Sequence, residues 1–348
     1  MKSNQSSNRY ARQIQFHPIG ENGQAGIRSS KIAILGCGAL GTVAAEILAR
    51  AGVGQLWLID RDVVEWSNLQ RQALFDEDDA TEGNSKAEAA SRHLNRINSD
   101  VVTHPVVTDI TAENISIALE SADLVIDAAD NFLLRFLLND WSLRAEKPWV
   151  HGGCVGSTGQ IHLFPGRGGP CFRCLVPEPP PAAAVDTCDT AGVVGSATHT
   201  IASLQAHEAI KWLSGNQQST RSKLLSIDLW NNRIRELTIP DQLRETCTAC
   251  GKKQYEFLEG THAVKSESAS VLCGRDAVQI QTGETEIDFD KLQERWKSTG
   301  KTQKTRFFLR LHINDTQSLT VFRDGRVVIN GTDEISIART LLNRFLGG

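Results

Sequence analysis

The stretch LGCGALG, residues 35–41, is the feature that most constrains the fold of this chain of 348 residues. The short apolar run KIAIL leads into it, and TVAAEILARAG, with apolar residues at helical spacing, follows it. Gly36, Gly38 and Gly41 form a G-x-G-x-x-G pattern, in which a chain turns tightly from a strand into a helix. Because the N–H groups of a helix N-terminus favour anions, the stretch predicts a nucleotide site. By itself it does not say which nucleotide.

Strand-like and helix-like segments alternate through the first half of the chain. Short apolar runs predict strands, and amphipathic runs between them predict helices. Strands are expected at 32–35, 54–60, 100–108, 122–130, 148–156 and 159–166, and helices at 42–52, 85–97, 113–121 and 131–146. This order is typical of an α/β fold with a doubly wound, mostly parallel, Rossmann-like sheet. Ligands bind beyond the carboxyl ends of such strands, so the residues that end strands are the functional candidates.

Asp60 ends the second predicted strand, 19 residues after Gly41. An acid in this place typically accepts hydrogen bonds from ribose hydroxyls. The glycine turn and Asp60 together therefore predict a nucleotide with a free ribose diol. They do not distinguish NAD from ATP, so a nicotinamide-dependent dehydrogenase is one alternative at this point.

The polar residues that follow Asp60 favour ATP. They are Ser67, Asn68, Gln70 and Arg71 in the segment WSNLQRQ, Lys86 at the start of a predicted helix, and Asp130 beyond the fourth strand. Arginine and lysine neutralise a polyphosphate, and a carboxylate can hold its Mg²⁺. A nicotinamide site needs a flat, largely apolar slot for hydride transfer instead. The set therefore predicts a triphosphate site.

These motifs resemble, in order and approximate spacing, the adenylating enzymes of the ThiF, MoeB and HesA family, which are relatives of the ubiquitin-activating enzymes. The resemblance rests on RYARQ (9–13), GCGALG, Asp60 with SNLQRQ, Lys86 and DAADN, and it covers roughly residues 8–252. It implies that the chain uses ATP to adenylate the C-terminal glycine of a ubiquitin-like sulfur-carrier protein ending in Gly-Gly, releasing pyrophosphate. Such carriers serve thiamine or molybdopterin cofactor biosynthesis, and the sequence does not decide between them.

The resemblance also implies roles for individual residues. Asp60 is expected to bind the ribose, while Asn68, Arg71 and Lys86 hold the phosphates. Arg71 and Lys86 would spread the charge that develops as the α-phosphate is attacked. The set expected to bind the nucleotide is completed by Gly36, Gly38, Ala39, Gly41, Asp62, Ser67, Gln70 and Asn131.

Two further residues are expected to act in catalysis. The resemblance implies that Asp130 positions Mg²⁺ and that Arg12 reaches into the site of the second subunit of a homodimer. The simpler alternative for Asp130 is that it caps the helix that follows, because an aspartate after a strand often does so. A single arginine or lysine is likewise most often a solvated surface residue.

Four of the eight cysteines form two C-x-x-C pairs, CFRC and CTAC. Each pair can point two thiolates at one ion, and two pairs complete a closed tetrahedral Zn²⁺ site. A redox pair usually stands alone at a helix N-terminus, so the second pair disfavours redox chemistry. We therefore predict a structural zinc ion, and the fold has to bring the distant pairs together. The predicted ligands are Cys171, Cys174, Cys247 and Cys250.

A loop containing PEPPPAAA separates the second zinc pair from the first, and it is followed by TCDTAGVVG and by a helix predicted at Gly195–Leu213. The segment TCDTAGVVG resembles the thiamine-pathway members of the family, in which the equivalent cysteine can link to the C-terminus of the carrier. Cys188 is therefore a candidate for covalent chemistry. The alternative is an incidental loop thiol.

The chain changes character after about residue 255. We predict an ATP-binding domain with zinc knuckles over 1–252 and a small α+β domain over 255–348, with an Asp-Gly hairpin at RDGR. The chain ends in RFLGG, which raises the idea of a built-in carrier. Helical spacing of apolar residues up to the glycines disfavours it and favours Gly347 as a helix stop.

Composition excludes several functions. The net charge of −4 gives no basic field for nucleic acid, and no apolar run approaches the length of a membrane span. The polar start MKSNQSSNRY lacks the apolar region of a signal peptide, so a cytoplasmic protein is expected. Three alternatives to sulfur-carrier activation stay open: a dehydrogenase, a non-catalytic scaffold subunit, and an enzyme that adenylates a peptide.

Overall fold

The computed structural model describes residues 9–180, 188–261, 269–272, 276–283 and 287–347. The chain forms two compact units, one comprising Met1–Cys188 with Gly192–His262 and the other comprising Asp189–Ala191 with Ala263–Gly348. In the described residues no helix is both long enough and apolar enough to cross a membrane.

The first unit is built on a sheet of eight strands in the order β3-β2-β1-β4-β5-β6-β7-β8. The strands are β1 Lys31–Leu35, β2 Gln55–Ile59, β3 Val102–Val106, β4 Leu124–Asp127, β5 Trp149–Val155, β6 Thr158–Phe164, β7 Leu224–Asp228 and β8 Arg233–Leu237. Neighbouring strands from β3 to β5 pair in parallel, and those from β5 to β8 pair antiparallel. Only residues 156 and 157 join β5 to β6, which is too short for a parallel crossover. The predicted doubly wound, mostly parallel fold is confirmed.

Helices precede, connect and follow these strands along the chain. They are α1 Ala11–Ile14, α2 Gly20–Ser29, α3 Gly41–Ala51, α4 Glu77–Glu82, α5 Lys86–Ile97, α6 Ile115–Ala118, α7 Phe132–Ala145, α8 Phe172–Leu175, α9 Cys188–Ala191, α10 Gly195–Leu213 and α11 Leu243–Thr246, with short 3₁₀ turns at Trp66–Asn68 and Gln217–Ser219. The described helix α10 has the bounds that its helical spacing predicts. After its first residue, Gly195, the helix contains neither a proline nor a glycine, so the helical pattern is uninterrupted.

Both faces of the first sheet are covered, which explains the nearly continuous apolar character of its central strands. Ile32 and Ile34 of β1 point into one core, which α3 and α10 complete. Ala33 and Leu35 of the same strand point into the opposite core, which α7 completes. Strand side chains alternate between faces, so a single strand contributes to both cores.

The second unit has a six-stranded sheet in the order β11-β12-β13-β14-β10-β9, antiparallel at every pairing between the described strands. Its elements are β9 Ala269–Leu272, β10 Ala277–Gln281, α12 Phe289–Trp296, β11 Lys301–Lys304, β12 Phe308–His312, β13 Ser318–Phe322, β14 Arg326–Asn330 and α13 Ile335–Phe345. Gly325 takes a positive φ of 79° in the hairpin between β13 and β14, as an Asp-Gly turn requires. The small α+β module expected here is confirmed. Its polar strand β11 lacks an apolar alternation and was not predicted.

The end of α13 differs in detail from the expectation. The helix reaches Phe345, and the N–H groups of Leu346 and Gly347 still donate to the Leu342 carbonyl, at 2.7 and 3.2 Å. Leu346 stays in the right-handed region, and φ of Gly347 is not positive, so no left-handed glycine cap forms. Gly348 lies outside the described residues.

Candidate active site

The glycine turn between β1 and α3 is shaped by three different requirements. Gly36 has a φ of 92°, and a Cβ there would lie 2.6 Å from the Ala128 carbonyl oxygen. A Cβ on Gly41 would lie 1.8 Å from the Gly36 carbonyl oxygen, so neither position accepts a side chain. At Gly38 no heavy atom lies within 4 Å of the same position, and the half-buried Ala39 follows it. The turn is therefore closed on the protein side and open at Gly38, where a phosphate can approach the backbone.

Asp60 fixes this turn to the end of β2. Its Oδ2 accepts a hydrogen bond of 2.7 Å from the Cys37 N–H, and its Oδ1 accepts one of 2.7 Å from the Asp62 N–H. Burial raises the pKa of Asp60, and the nearby Lys86 ammonium opposes that rise. Burial also raises the pKa of the Cys37 thiol, which stays protonated. Each Asp60 oxygen keeps a second lone pair, as contact with a ribose diol requires.

Lys86 brings a buried positive charge to the same place. Its side chain is 7% exposed, and its Nζ lies 3.4 Å from Asp62 Oδ2. The Lys86 N–H donates to the Asp62 carbonyl oxygen at 2.9 Å, so the start of α5 is tied to the segment after β2. Arg61 pairs with Asp109 at 2.7 Å, and its Nε lies 3.9 Å from Asp62 Oδ1. A lysine with little contact with water interacts strongly with anionic groups near it.

The segment SNLQR forms a compact turn beside this charge. Asn68 is buried, and its Oδ1 accepts from the Glu65 N–H at 3.1 Å. Arg71 is half-buried and donates from Nη1 to the Ser67 carbonyl oxygen at 2.7 Å. A Cβ on the first residue of α10 would lie 2.9 Å from the Gln70 carbonyl oxygen, so that helix N-terminus packs on the turn. The amide of Asn68 and the remaining guanidinium N–H groups of Arg71 are the donors suited to phosphate.

Asn131, and not Asp130, caps helix α7. The Asn131 side chain accepts from the Leu134 N–H at 2.8 Å. Asp130 is exposed, and in the described part of the chain its carboxylate forms no hydrogen bond or ion pair. The alternative in which Asp130 caps α7 is therefore wrong. An exposed aspartate three residues after β4 is chemically suited to Mg²⁺, which prefers carboxylate and water ligands.

The strand order brings these residues together. β2, β1 and β4 are neighbours in parallel, so their carboxyl ends place the residues after β2, the glycine turn and Asp130 along one edge of the sheet. Burial lowers the pKa of the Arg61 guanidinium, but the carboxylates of Asp109, Asp62 and Asp130 together raise it above its usual value, so Asp130 lies near Arg61.

The structure links neither of the other two predicted catalytic residues to this edge through the contacts that it describes. Arg12 lies in α1, is exposed, and donates to Gln15 Oε1 at 3.0 Å. In the described residues no hydrogen bond links Arg12 to another predicted site residue. Cys188 begins α9, but its side chain lies outside the described part of the structure.

A buried ionic group behind Asp130 was not predicted from the sequence. Asp127 ends β4 and accepts from Arg135 Nε at 3.2 Å and from His151 Nδ1 at 2.8 Å. Burial would raise the pKa of Asp127, but the Arg135 and His151 contacts hold it below its usual range. Burial lowers the pKa of His151, so its ring is neutral at pH 7. The only sequence signal was an aspartate inside an apolar strand, with its partners on two later elements.

The two C-x-x-C pairs meet in one buried cluster. The Sγ atoms of Cys171 and Cys247 are 3.7 Å apart, those of Cys174 and Cys250 are 3.4 Å apart, and those of Cys171 and Cys174 are 4.0 Å apart. All four Sγ atoms lie within 4.8 Å of one another. A tetrahedron with metal–sulfur bonds of about 2.3 Å has edges of about 3.8 Å. The donor set and its size therefore fit one tetrahedral metal ion.

Comparison with known proteins is consistent with this geometry. The sequence model of the ThiF family matches residues 10–249. A protein named sulfur carrier protein ThiS adenylyltransferase, from Bacillus subtilis, is 40% identical over 340 residues, which are 97% of this chain and 99% of that protein. The adenylyltransferase and sulfurtransferase MOCS3 of Danio rerio is 38% identical over 281 residues, 78% of this chain but only 61% of MOCS3.

A solved structure is similar as well. The crystal structure of E. coli MccB with ATP is 26% identical and superimposes with a TM-score of 0.60 over 70% of this chain and 74% of MccB. The family match lies in the first unit, whereas the similarity to the Bacillus protein extends through both units.

Proposed function

The chain belongs to the ThiF family, and from this premise we propose that it is an ATP-dependent adenylyltransferase acting on a ubiquitin-like sulfur carrier. The observation that carries the proposal is the 40% identity to a ThiS adenylyltransferase along 97% of the chain. The sheet edge supports it. The open glycine turn, the acid Asp60, the buried Lys86 and the exposed Asp130 all follow three neighbouring strands, β1, β2 and β4.

The reaction needs charge neutralisation more than proton transfer. A carboxylate oxygen of the carrier's terminal glycine attacks the α-phosphorus of ATP, an acyl-phosphate bond forms, and the bond to the β-phosphate oxygen breaks to release pyrophosphate. The nucleophile is already anionic at neutral pH, so no general base is required. Lys86 and Arg71 would hold the phosphates and stabilise the charge on the pentacoordinate phosphorus, while Asp60 would hold the ribose. Catalysis is then positioning plus electrostatics.

Mg²⁺ fits this site, and Asp130 is the residue that would hold it. The ion would shield the phosphates and make pyrophosphate a better leaving group. The Asp130 carboxylate is not used as the cap of α7, because Asn131 supplies that cap. The dehydrogenase alternative is disfavoured, since two cations and this acid would be placed where a nicotinamide ring needs an apolar slot.

The carrier is to be identified by pyrophosphate exchange. We expect ATP–pyrophosphate exchange to depend on an added carrier that ends in Gly-Gly, and a ThiS-like carrier to be used better than a MoaD-like one. A peptide ending in a different residue and a carrier lacking its last glycine serve as controls. Exchange with the peptide but with neither carrier would replace this proposal with the peptide-adenylating alternative, and absence of all exchange would favour a scaffold.

We propose that the four-cysteine cluster holds a structural zinc ion. Four sulfur ligands and no open position match Zn²⁺ and leave no place for a substrate. The cluster joins the segment after β6 to the segment after β8, so the ion would cross-link the antiparallel half of the sheet.

Arg12 is proposed to act across a homodimer. Among the described residues of its own chain, its side chain forms a hydrogen bond only to Gln15, the residue that follows the first helix. If it completes the partner's site, mixing Arg12→Ala chains with Asp130→Ala chains should restore up to about a quarter of the exchange rate, because half of the dimers at random mixing contain one undamaged site. The measurement is exchange after subunit mixing, with mixing itself verified by differently tagged chains. Verified mixing without recovery would place Arg12 in its own chain's site or outside both sites.

That Cys188 forms a covalent link to the carrier remains a prediction. Its chemistry can be tested by mass spectrometry of the enzyme after incubation with ATP and carrier. A covalent enzyme–carrier adduct that disappears in Cys188→Ala would support it.

A further inference from the structure

Ala129 directly precedes Asp130, and buried side chains bind both its backbone N–H and its carbonyl oxygen. The Ala129 N–H donates to Asp127 Oδ1 at 3.1 Å, and the Ala129 carbonyl oxygen accepts from Arg135 Nη2 at 2.6 Å. Asp127 and Arg135 are themselves paired at 3.2 Å. The backbone that leads into Asp130 is thus fixed by an ion pair whose side chains are only 10% (Arg135) and 1% (Asp127) exposed.

Two other elements, β5 and α10, hold this ion pair in place. His151 of β5 donates to Asp127 Oδ2 at 2.8 Å, and Arg135 Nη2 also lies 3.4 Å from the Gly152 carbonyl oxygen. Gln205 of α10 donates to the Asp127 and Val150 carbonyl oxygens at 2.8 and 3.1 Å, which ties the ends of β4 and β5 to that helix. The loop therefore has one conformation that satisfies these buried groups together.

The cost of this arrangement argues that it has a use beyond stability. Burying a charge pair is expensive, and apolar residues of similar size often give equal or greater stability. Here the ion pair fixes the short loop after β4, because the Arg135 guanidinium contacts the Asp127 carboxylate and the carbonyl oxygens of Ala129 and Gly152 at once. A lysine cannot make these three contacts in the same geometry.

We propose that Arg135, through its pair with Asp127, is a positioning residue that holds the Asp130 carboxylate where it binds Mg²⁺. The proposal rests on the proposed function. Arg135 would touch no substrate and would act on Asp130 through the Ala129 backbone, which it contacts directly and through Asp127. Displacement of a reacting group by about 1 Å can cost about 100-fold in rate.

The test is Arg135→Lys in the full chain with its carrier. We expect kcat for pyrophosphate exchange to fall about 10- to 100-fold, with little change in KM for ATP and with a higher Mg²⁺ concentration for half-maximal rate. In the absence of turnover, titration with Mn²⁺ in the presence of a non-hydrolysable ATP analogue should show weaker metal binding by the variant than by the unchanged chain. Excess Mg²⁺ should recover part of the rate, which a merely structural defect would not allow. Arg221→Lys, which alters an arginine beside the buried Glu208, is the matched control and should keep the kcat and Mg²⁺ dependence of the unchanged chain.

A second variant guards against misfolding. Asp127→Leu combined with Arg135→Met removes the charge pair without leaving a lone buried charge, so it should stay folded and show the same loss of kcat and the same Mg²⁺ shift. A folded variant with unchanged kcat and Mg²⁺ dependence would overturn the proposal.

A double-mutant cycle separates this proposal from the proposed function. In an Asp130→Asn background, which keeps some exchange, Arg135→Lys should cause no further loss, because its effect passes through Asp130. An additive loss would overturn the positioning role. If Asp130→Asn alone is as active as the unchanged chain, the assignment of Asp130 fails; if only Arg135→Lys is without effect, the positioning role fails and the function stands.

Discussion

Asp130→Ala is expected to lower carrier-dependent pyrophosphate exchange by at least about 100-fold, the size of effect seen when a group that stabilises transition-state charge is removed. The reason is the loss of the carboxylate that would position Mg²⁺ beside the phosphates. The fold should be preserved, because Asp130 is exposed and Asn131 supplies the cap of α7. The measurements are the initial rate of exchange and the thermal unfolding midpoint of the same preparation.

Asp100→Ala is the matched control for this variant. Asp100 is also exposed, but it precedes β3 and so lies at the amino end of the parallel strands, opposite the candidate site. We expect it to change neither the exchange rate nor the unfolding midpoint. An Asp130→Ala chain as active as Asp100→Ala would remove Asp130 from the site and leave the Mg²⁺ proposal without a ligand.

Cys171→Ser is expected to lose both the bound zinc and stability. Metal binding and folding are coupled when the ligands come from distant segments, so removal of one thiolate should lower the free energy of unfolding by more than about 4 kcal/mol. Freshly purified unchanged chain should contain about one zinc ion per chain, as measured by elemental analysis. The variant should contain much less, and it should unfold at a lower temperature.

Cys154→Ser is the matched control for the metal site. Cys154 is also buried, but it lies on β5 in a different core and outside the cluster of four sulfurs. It should keep its zinc and lose only the stability that a buried hydroxyl costs, about 1–3 kcal/mol. An unchanged chain without zinc, or a Cys171→Ser chain with full zinc content, would contradict the metal assignment.

Much of the fold follows from local sequence. The alternation of apolar and amphipathic runs predicted the strands of the parallel half, and the helical spacing predicted α10 over Gly195–Leu213. These patterns are predictive because the tendency of a segment to form a half-buried strand or helix depends on residues close together in the sequence. The polar strand β11 carries no such signal; it is a strand because it pairs with β12, so it could not be found in this way.

Part of the candidate site likewise follows from local sequence, and part depends on the tertiary structure. The sequence alone determined which residue types are present at the strand ends: the glycine turn, Asp60, Lys86 and the two cysteine pairs, because each is a short motif with its own chemistry. Tertiary structure decided how they are used. It gave the helix cap to Asn131 and left Asp130 exposed, and it placed the four sulfurs within 4.8 Å of one another.

The buried group behind the loop is the clearest case of what the fold alone decides. Asp127, Arg135 and His151 belong to a strand, the following helix and the next strand, and no local pattern marks them as partners. They meet because β4 and β5 lie side by side and α7 returns across them. A charge can be buried only where opposite charges and donors converge on it, and that convergence is a property of the packed chain and not of any segment.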